Sequence, residues 1–238
     1  MTHTMCLGSE ILFKSAFDTN ELEYALTEDI TTQTGKKYYT FNDSTYTELI
    51  ENTDWSHGDA IPEATYYEKN VNDRNSYGNN NFMESNVLQW ANSDGTANNW
   101  FVKQNIWDRC AATLISKNGF IKHIDSDFLS VVKQATIITA KRKEEGGGSY
   151  TTNAKFWLLS KSQVTGVANN SVMENTELTY YTTNSKTKQF EGTNTGWWLR
   201  TPITDNGYQV TFILPSGIST QNTANTDIYG VSLACIIG

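Results

Sequence analysis

The strongest constraint on the fold lies near the C-terminal end, where GWWLRTP from Gly196 is followed by GYQVTFILPSGIST from Gly207 and IYGVSLACIIG from Ile228. Tyr208, Val210, Phe212 and Leu214 alternate with Gln209, Thr211 and Ile213, the period of a β-strand with two distinct faces. Leu214-Pro215-Ser216-Gly217 then supplies a proline with φ preset for a turn and a glycine free of a Cβ, so the chain is expected to reverse into a second strand. From Tyr229 onward, Val231, Leu233, Cys235 and Ile237 share one face. Gly230, Ser232 and Ala234 put small side chains on the other, which suits a strand packed closely on both sides. So apolar a terminus is predicted to be tied into a sheet.

The rest of the chain is read against that sheet. Glu10-Ile11-Leu12-Phe13 predicts a short first strand. Between Asp18 and Asn81 the chain is polar, with tyrosines at intervals, and GKKYYTF from Gly35 is its compact strand candidate. Thr47 to Asn52 reads as a short helix and NDRNSYGNNN from Asn72 as a loop, since Asn and Gly tolerate left-handed backbone. Ser85 can cap a helix whose Val87, Leu88, Trp90 and Ala91 form an apolar face, ended by Asp94-Gly95. Asp125 or Asp127 can cap a second, with Phe128, Leu129, Val131, Val132 and Ala135 at helical spacing. KRKEEGGGS from Lys141 reads as a solvated loop leading to a KFWLLS strand. These elements give an α+β chain, taken as one domain over 1–238, with a first strand and loop-rich elaboration over 1–81 and a core over 82–238.

Three motifs in order carry a resemblance: FMESNVLQWANSD from Phe82, KFWLLSKSQVTG from Lys155, and GWWLRTP followed by GVSLACII. The pattern is similar to a domain of unknown function found in gut bacteria and their phages, whose usual form is WWLRSP followed by GVxPA. Here Leu233 stands where that pattern has proline, and Gln163 where an acidic residue is commoner. The resemblance implies a C-type-lectin-like fold of the formylglycine-generating-enzyme type: small twisted antiparallel sheets, two helices, and N- and C-terminal strands paired.

Composition narrows the chemistry. A formal charge of −8 without a dense Lys/Arg cluster argues against nucleic acid as a partner. No apolar run reaches the roughly 20 residues that span a bilayer, and MTHTMCLGSE lacks the pattern of a signal peptide, so membrane insertion is not expected and synthesis in a host cytoplasm is. Cys6, Cys110 and Cys235 have no metal-type spacing and read as reduced thiols. His3, His57 and His123 are isolated in sequence. Neither a calcium loop, a Walker loop nor GxSxG is present. The triplets through which calcium-dependent lectins bind sugar are also missing, so no metal and no cofactor are expected. Arg200, between Leu199 and Thr201-Pro202, reads as an arginine fixing core carbonyls or a carboxylate.

The functional expectation is therefore a non-enzymatic surface protein of a phage or prophage virion, on a tail tip, fibre or capsid, binding host-surface glycan or protein. Its partners would include other virion proteins and copies of itself in a homo-oligomer. The alternatives are a purely structural capsid or baseplate protein and, less favoured, an enzyme of the formylglycine-generating type. Ligand contacts are assigned to the C-terminal loops: Asp205, Asn206, Tyr208, Gln221, Asn222, Asn225 and Tyr229. Loop residues are the ones not committed to packing, and tyrosine and amide side chains suit adaptable recognition.

Overall fold

The computed structural model describes residues 4–21, 23–26, 38–42, 45–49, 74–104, 108–143 and 146–238. In chain order the first strands are β1 (Thr4–Leu7), β2 (Phe13–Lys14), β3 (Glu23–Leu26), β4 (Tyr38–Asn42) and β5 (Thr45–Leu49). A helical stretch follows: α1 (Arg74–Tyr77), a 3-10 turn at Phe82–Glu84, α2 (Asn86–Ala91), α3 (Ala112–Ile115), a second 3-10 turn at Phe120–His123 and α4 (Ser126–Val131). Then come β6 (Val132–Lys133), β7 (Ala135–Ala140), β8 (Ser149–Ala154), β9 (Trp157–Leu158), α5 (Lys161–Thr165) and α6 (Thr179–Thr183). The chain closes with β10 (Lys188–Phe190), β11 (Thr193–Thr195), β12 (Trp197–Pro202), β13 (Gln209–Ile213), β14 (Ser219–Thr223), β15 (Gly230–Val231) and β16 (Leu233–Ile237). The architecture is α+β, rich in strands, with short helices and several small, mainly antiparallel sheets.

The C-terminal motifs build the centre. β12 is buried along its whole length, and it lies within a sheet of order β14-β13-β12-β15-β2. Both faces of this strand are covered, so Trp197, Trp198 and Leu199 follow one another without a solvent-facing position, and the polar Arg200 and Thr201 are buried with them. The indole N–H groups of its two tryptophans find backbone oxygens, Trp197 on Lys186 at 2.9 Å and Trp198 on Ser15 at 2.8 Å, which satisfies their one polar atom inside the core. Phe17, Phe212 and Tyr229 meet the Trp198 ring edge-on. The expected hairpin is present: β13 pairs with β14 in register from Gln209–Thr223 to Ile213–Ser219. Its turn is closed by Gly217 N–H on the Leu214 oxygen at 2.8 Å, with Gly217 at φ 87°.

The two ends of the chain meet, as expected. β1 lies antiparallel to β16, with Thr4 opposite Ile237 and Cys6 opposite Cys235, and β2 lies antiparallel to β15, with Phe13 opposite Val231. The terminal segment does not form one strand, however. It breaks at Ser232, so that β15 joins the large sheet while β16 enters a second one with β1, β6 and β9. Close packing fixes the small residue at the start of β15: a Cβ on Gly230 would lie 2.5 Å from two side-chain carbons of Ile11.

Other expectations are corrected. The first strand is Thr4–Leu7, and Ile11 instead packs in the core beside Gly230. Thr47–Leu49 belongs to a strand, not a helix, paired with β4 in a three-stranded sheet; 50–52 lie outside the described residues. GKKYYTF holds a strand from Tyr38, its first three residues lying outside the described ones. Within the stretch read as a loop from Asn72, Arg74–Tyr77 forms one helical turn. Ser85 does cap α2, its Oγ accepting from Leu88 N–H at 3.2 Å, and Val87, Leu88, Trp90 and Ala91 are buried. Asp125 caps α4, but that helix ends at Val131 and leaves Phe128 and Val131 exposed, because Val132 turns into β6 to pair with Ile237. The glycine-rich segment after Lys141 joins two paired strands, β7 and β8, and Arg142 within it is buried.

Candidate functional site

Beneath β12 lies a heavily bonded side chain. Arg200, fully buried, donates to the backbone oxygens of Leu158 at 2.8 Å, Glu174 at 3.0 Å and Ile138 at 3.1 Å, and to the side-chain oxygens of Gln163 at 2.7 Å and Asn175 at 2.6 Å. Gln163 also completes a capping box with Ser160 at the start of α5. The amide that replaces the commoner acidic residue thus serves both the helix and the guanidinium. Burial pushes the Glu174 carboxyl up, opposed by Arg200 and the Thr201 hydroxyl, and burial pulls Arg200 down to about 10. The arginine is spent on the fold, as its sequence context predicts.

A second buried polar group organises the loop after β12. Asn80 donates through Nδ2 to the oxygens of Ile203, Asn206 and Gln209 at 3.1, 2.9 and 2.9 Å, and its backbone N–H reaches Gly207 at 3.0 Å. This amide fixes the turn that carries Asp205, Asn206 and Tyr208. Asn206 turns its Oδ1 inward to Tyr208 and Gln209 N–H groups, while exposed Asp205 pairs with Lys143. Asn225 ties the same region to α1, its Nδ2 donating to Ser76 O at 2.9 Å and its backbone N–H to Tyr77 O at 2.9 Å. The outcome is a surface pair of aromatic rings, Tyr77 and Tyr208, with centroids 5.0 Å apart and Tyr77 40% exposed.

Four of the seven residues assigned from sequence therefore gather at one end: Asp205, Asn206, Tyr208 and Asn225. The other three do not join them. Gln221 is exposed opposite Thr211, on the other face of the hairpin from Val210 and Asn222. Asn222 donates to the Tyr229 hydroxyl at 2.8 Å, and the Tyr229 ring stacks on Phe212 with centroids 3.9 Å apart. Tyr229 is thus a packing residue, a correction to its reading as a loop contact. Sequence reasoning missed Tyr77, Asn80 and Lys143. The run Asn79-Asn80-Asn81 was their signal, since buried amides at this density fix loops.

Other titratable groups are held by burial. Asp18, buried and close to Asp108 and Glu21, has its carboxyl pushed well above the usual range by desolvation first and by those neighbours next. It accepts from Asn79 N–H at 3.0 Å and Asn86 N–H at 3.2 Å. Burial raises the Cys110 thiol to about 12 and Cys235 to about 11. His123 is exposed, while His3 and His57 lie outside the described residues. Among the described residues no three His, Cys, Asp or Glu side chains are grouped to hold a metal ion, and no helix is long and apolar enough to cross a membrane.

Residues 49–238 match the model of a domain of unknown function, DUF6273. The chain belongs to this family. The DUF6273 match takes in the three sequence motifs, the Arg200 cage and the Tyr77–Tyr208 surface, and it reaches back to residue 49. No curated protein and no solved structure matches the chain.

Proposed function

We propose that this DUF6273 chain is a non-enzymatic binding module with a C-type-lectin-like fold, displayed on a phage or prophage particle, whose ligand is a host-surface glycan or protein. The observation that carries the binding role is the Tyr77–Tyr208 ring pair, held at the surface by hydrogen bonds of Asn80 and Asn225. Rigid aromatic faces beside amide groups offer stacking area at little entropic cost, together with donors and acceptors for hydroxyls or peptide groups. The burial that raises the Cys110 and Cys235 thiols supports the non-enzymatic part, because it keeps both in the unreactive protonated form. The paired terminal strands support the lectin-type fold, and the particle setting rests on the motif resemblance.

The test is attachment of the purified protein to cell-envelope fractions of the bacterial host. Tyr77→Ala/Tyr208→Ala should keep the melting temperature and lose attachment. A folded double variant that attaches as well as the parent overturns the assignment of this surface. Antibody to the protein should decorate particles in electron micrographs, and label confined to the cell interior would refute the virion setting.

A further inference from the structure

The ribbon β7–β8 has one closed edge and one open edge. Lys141 N–H bonds to Gly148 O at 2.9 Å, and counting along the register from that rung places Thr139–Tyr150, Ile137–Thr152 and Ala135–Ala154 as the bonded pairs. The backbone groups of Thr136 at the start of β7, and of Ile138 and Ala140 along the rest of it, therefore point away from β8, and the latter two meet neighbours. They are capped, Ile138 N–H by Asn175 Oδ1 at 3.1 Å, Ala140 N–H by Glu174 Oε1 at 3.0 Å, and Ile138 O by Arg200. On β8 the outward backbone groups belong to Ser149, Thr151 and Asn153, all three exposed, and no described residue bonds to them.

Such an edge is a template for another strand, and proteins usually guard one with charges, proline or a bulge. Ser149 to Ala154 has none of these, on a chain whose net charge is −8. We propose that β8 pairs antiparallel with β8 of a second copy, across a twofold axis at Thr151, to make a four-stranded sheet shared by two chains. In that register Thr151 faces its own equivalent, and Ser149 faces the partner's Asn153. Every cross-strand pair is uncharged, and Thr–Thr and Ser–Asn pairs are favourable neighbours. A charged strand would repel itself in this arrangement; a neutral one does not.

The same geometry sets the size of the assembly. Because Arg200, Glu174 and Asn175 occupy the β7 edge at Ile138 and Ala140, that edge offers only the outward groups of Thr136, too short a run to template a further strand, and the contact closes as a dimer without growing into a fibre. The register also carries the glycine turn of each copy past Ala154 of the other. There a cleft of about 410 Å³ opens beside Asn153, with Met83 46% and Val102 59% exposed on its wall. Gly146, Gly147 and Gly148 have no side chains to obstruct that approach, and a Cβ on any of them would meet nothing.

Sedimentation equilibrium of the purified chain over a wide concentration range tests this. The mass should rise from one chain to two and stop there. Thr151→Pro removes an outward N–H that no intrachain bond uses, and Thr151→Lys puts like charges on the axis; each should abolish the dimer while circular dichroism stays unchanged. Thr151→Cys should cross-link two chains under mild oxidation, whereas Thr136→Cys, on the same ribbon but off the edge, should not. A monomer at every concentration, a dimer that survives both Thr151→Pro and Thr151→Lys, or growth beyond two chains would overturn the proposal.

Discussion

Arg200 binds Glu174 through the backbone oxygen, 3.0 Å from Nη2, while the carboxylate of Glu174 turns to Ala140 N–H at 3.0 Å and to the Thr201 hydroxyl. The guanidinium therefore joins β7, β9 and the segment after α5 to β12 through carbonyl and amide oxygens. Replacing it by methionine leaves those buried acceptors without a donor. Arg200→Met is expected to cost about 3–5 kcal/mol in a denaturant titration, the scale seen when one member of a buried charged network is removed. A loss under about 1 kcal/mol would show that the cage is dispensable.

Asp18 sets a pH dependence whose sign follows from its raised pKa. The folded state holds the proton more tightly than the unfolded chain, so this group's contribution is full below the unfolded carboxylate value and is lost as pH rises through the folded value. Asp18→Asn mimics the protonated form and lacks that dependence. The stability of the parent relative to Asp18→Asn should fall as pH is raised from the carboxylate range toward neutrality. Parallel profiles for the two proteins would remove Asp18 as the source.

Cys110 and Cys235 should resist alkylation in the folded protein. With thiols at about 12 and about 11, the thiolate fraction near pH 8 is very small. Mass spectrometry after iodoacetamide should find both unmodified in buffer and both modified in guanidinium chloride. Rapid native labelling of either would contradict the burial described for it.

Tyr208 and Tyr229 should separate binding from stability. Tyr229→Ala removes a ring packed on Phe212 and Trp198 and is expected to cost about 3–5 kcal/mol. Tyr208→Ala should change the melting temperature little and weaken attachment. The reverse pattern would return Tyr229 to the binding surface.

Gly119 has an ordinary φ of −55°, so only space restricts it. A Cβ there would lie 2.3 Å from Ser93 O, a backbone atom that also accepts from Ile121 N–H at 3.0 Å. Gly119→Ala is expected to destabilise by about 1–3 kcal/mol, measured by urea unfolding. A neutral effect would mean that the loop around Ser93 gives way freely.

What the sequence made legible was local. The alternation from Tyr208 to Leu214, the Pro-Ser-Gly turn and the Ser85 cap each depend on neighbours a few residues away, and all three are present. The break at Ser232 was not legible, because alternation continues through it and only the competing pull of β2 and β9 splits the strand. Phe128 to Ala135 kept helical spacing, yet Val132 answers to Ile237 across a sheet. The proposed binding surface was half visible: polar loops marked Tyr208 and Asn225, while the partner ring of Tyr77 lies far away in sequence. Asn222 and Tyr229 looked equally free in composition, and their mutual hydrogen bond is a property of the folded chain alone.

The pairing of β1 with β16 brings the two ends of the described chain out side by side, with Thr4 opposite Ile237. A pull on both ends would load that rung first, then Cys6–Cys235, then Gly8–Leu233, each bearing the force alone before the next. Strands peeled in this way part at much lower force than strands sheared along their length, because the hydrogen bonds fail in sequence and not together. Under tension the terminal ribbon would therefore act as a mechanical fuse, opening while the sheet around Trp197 and Trp198 stays whole.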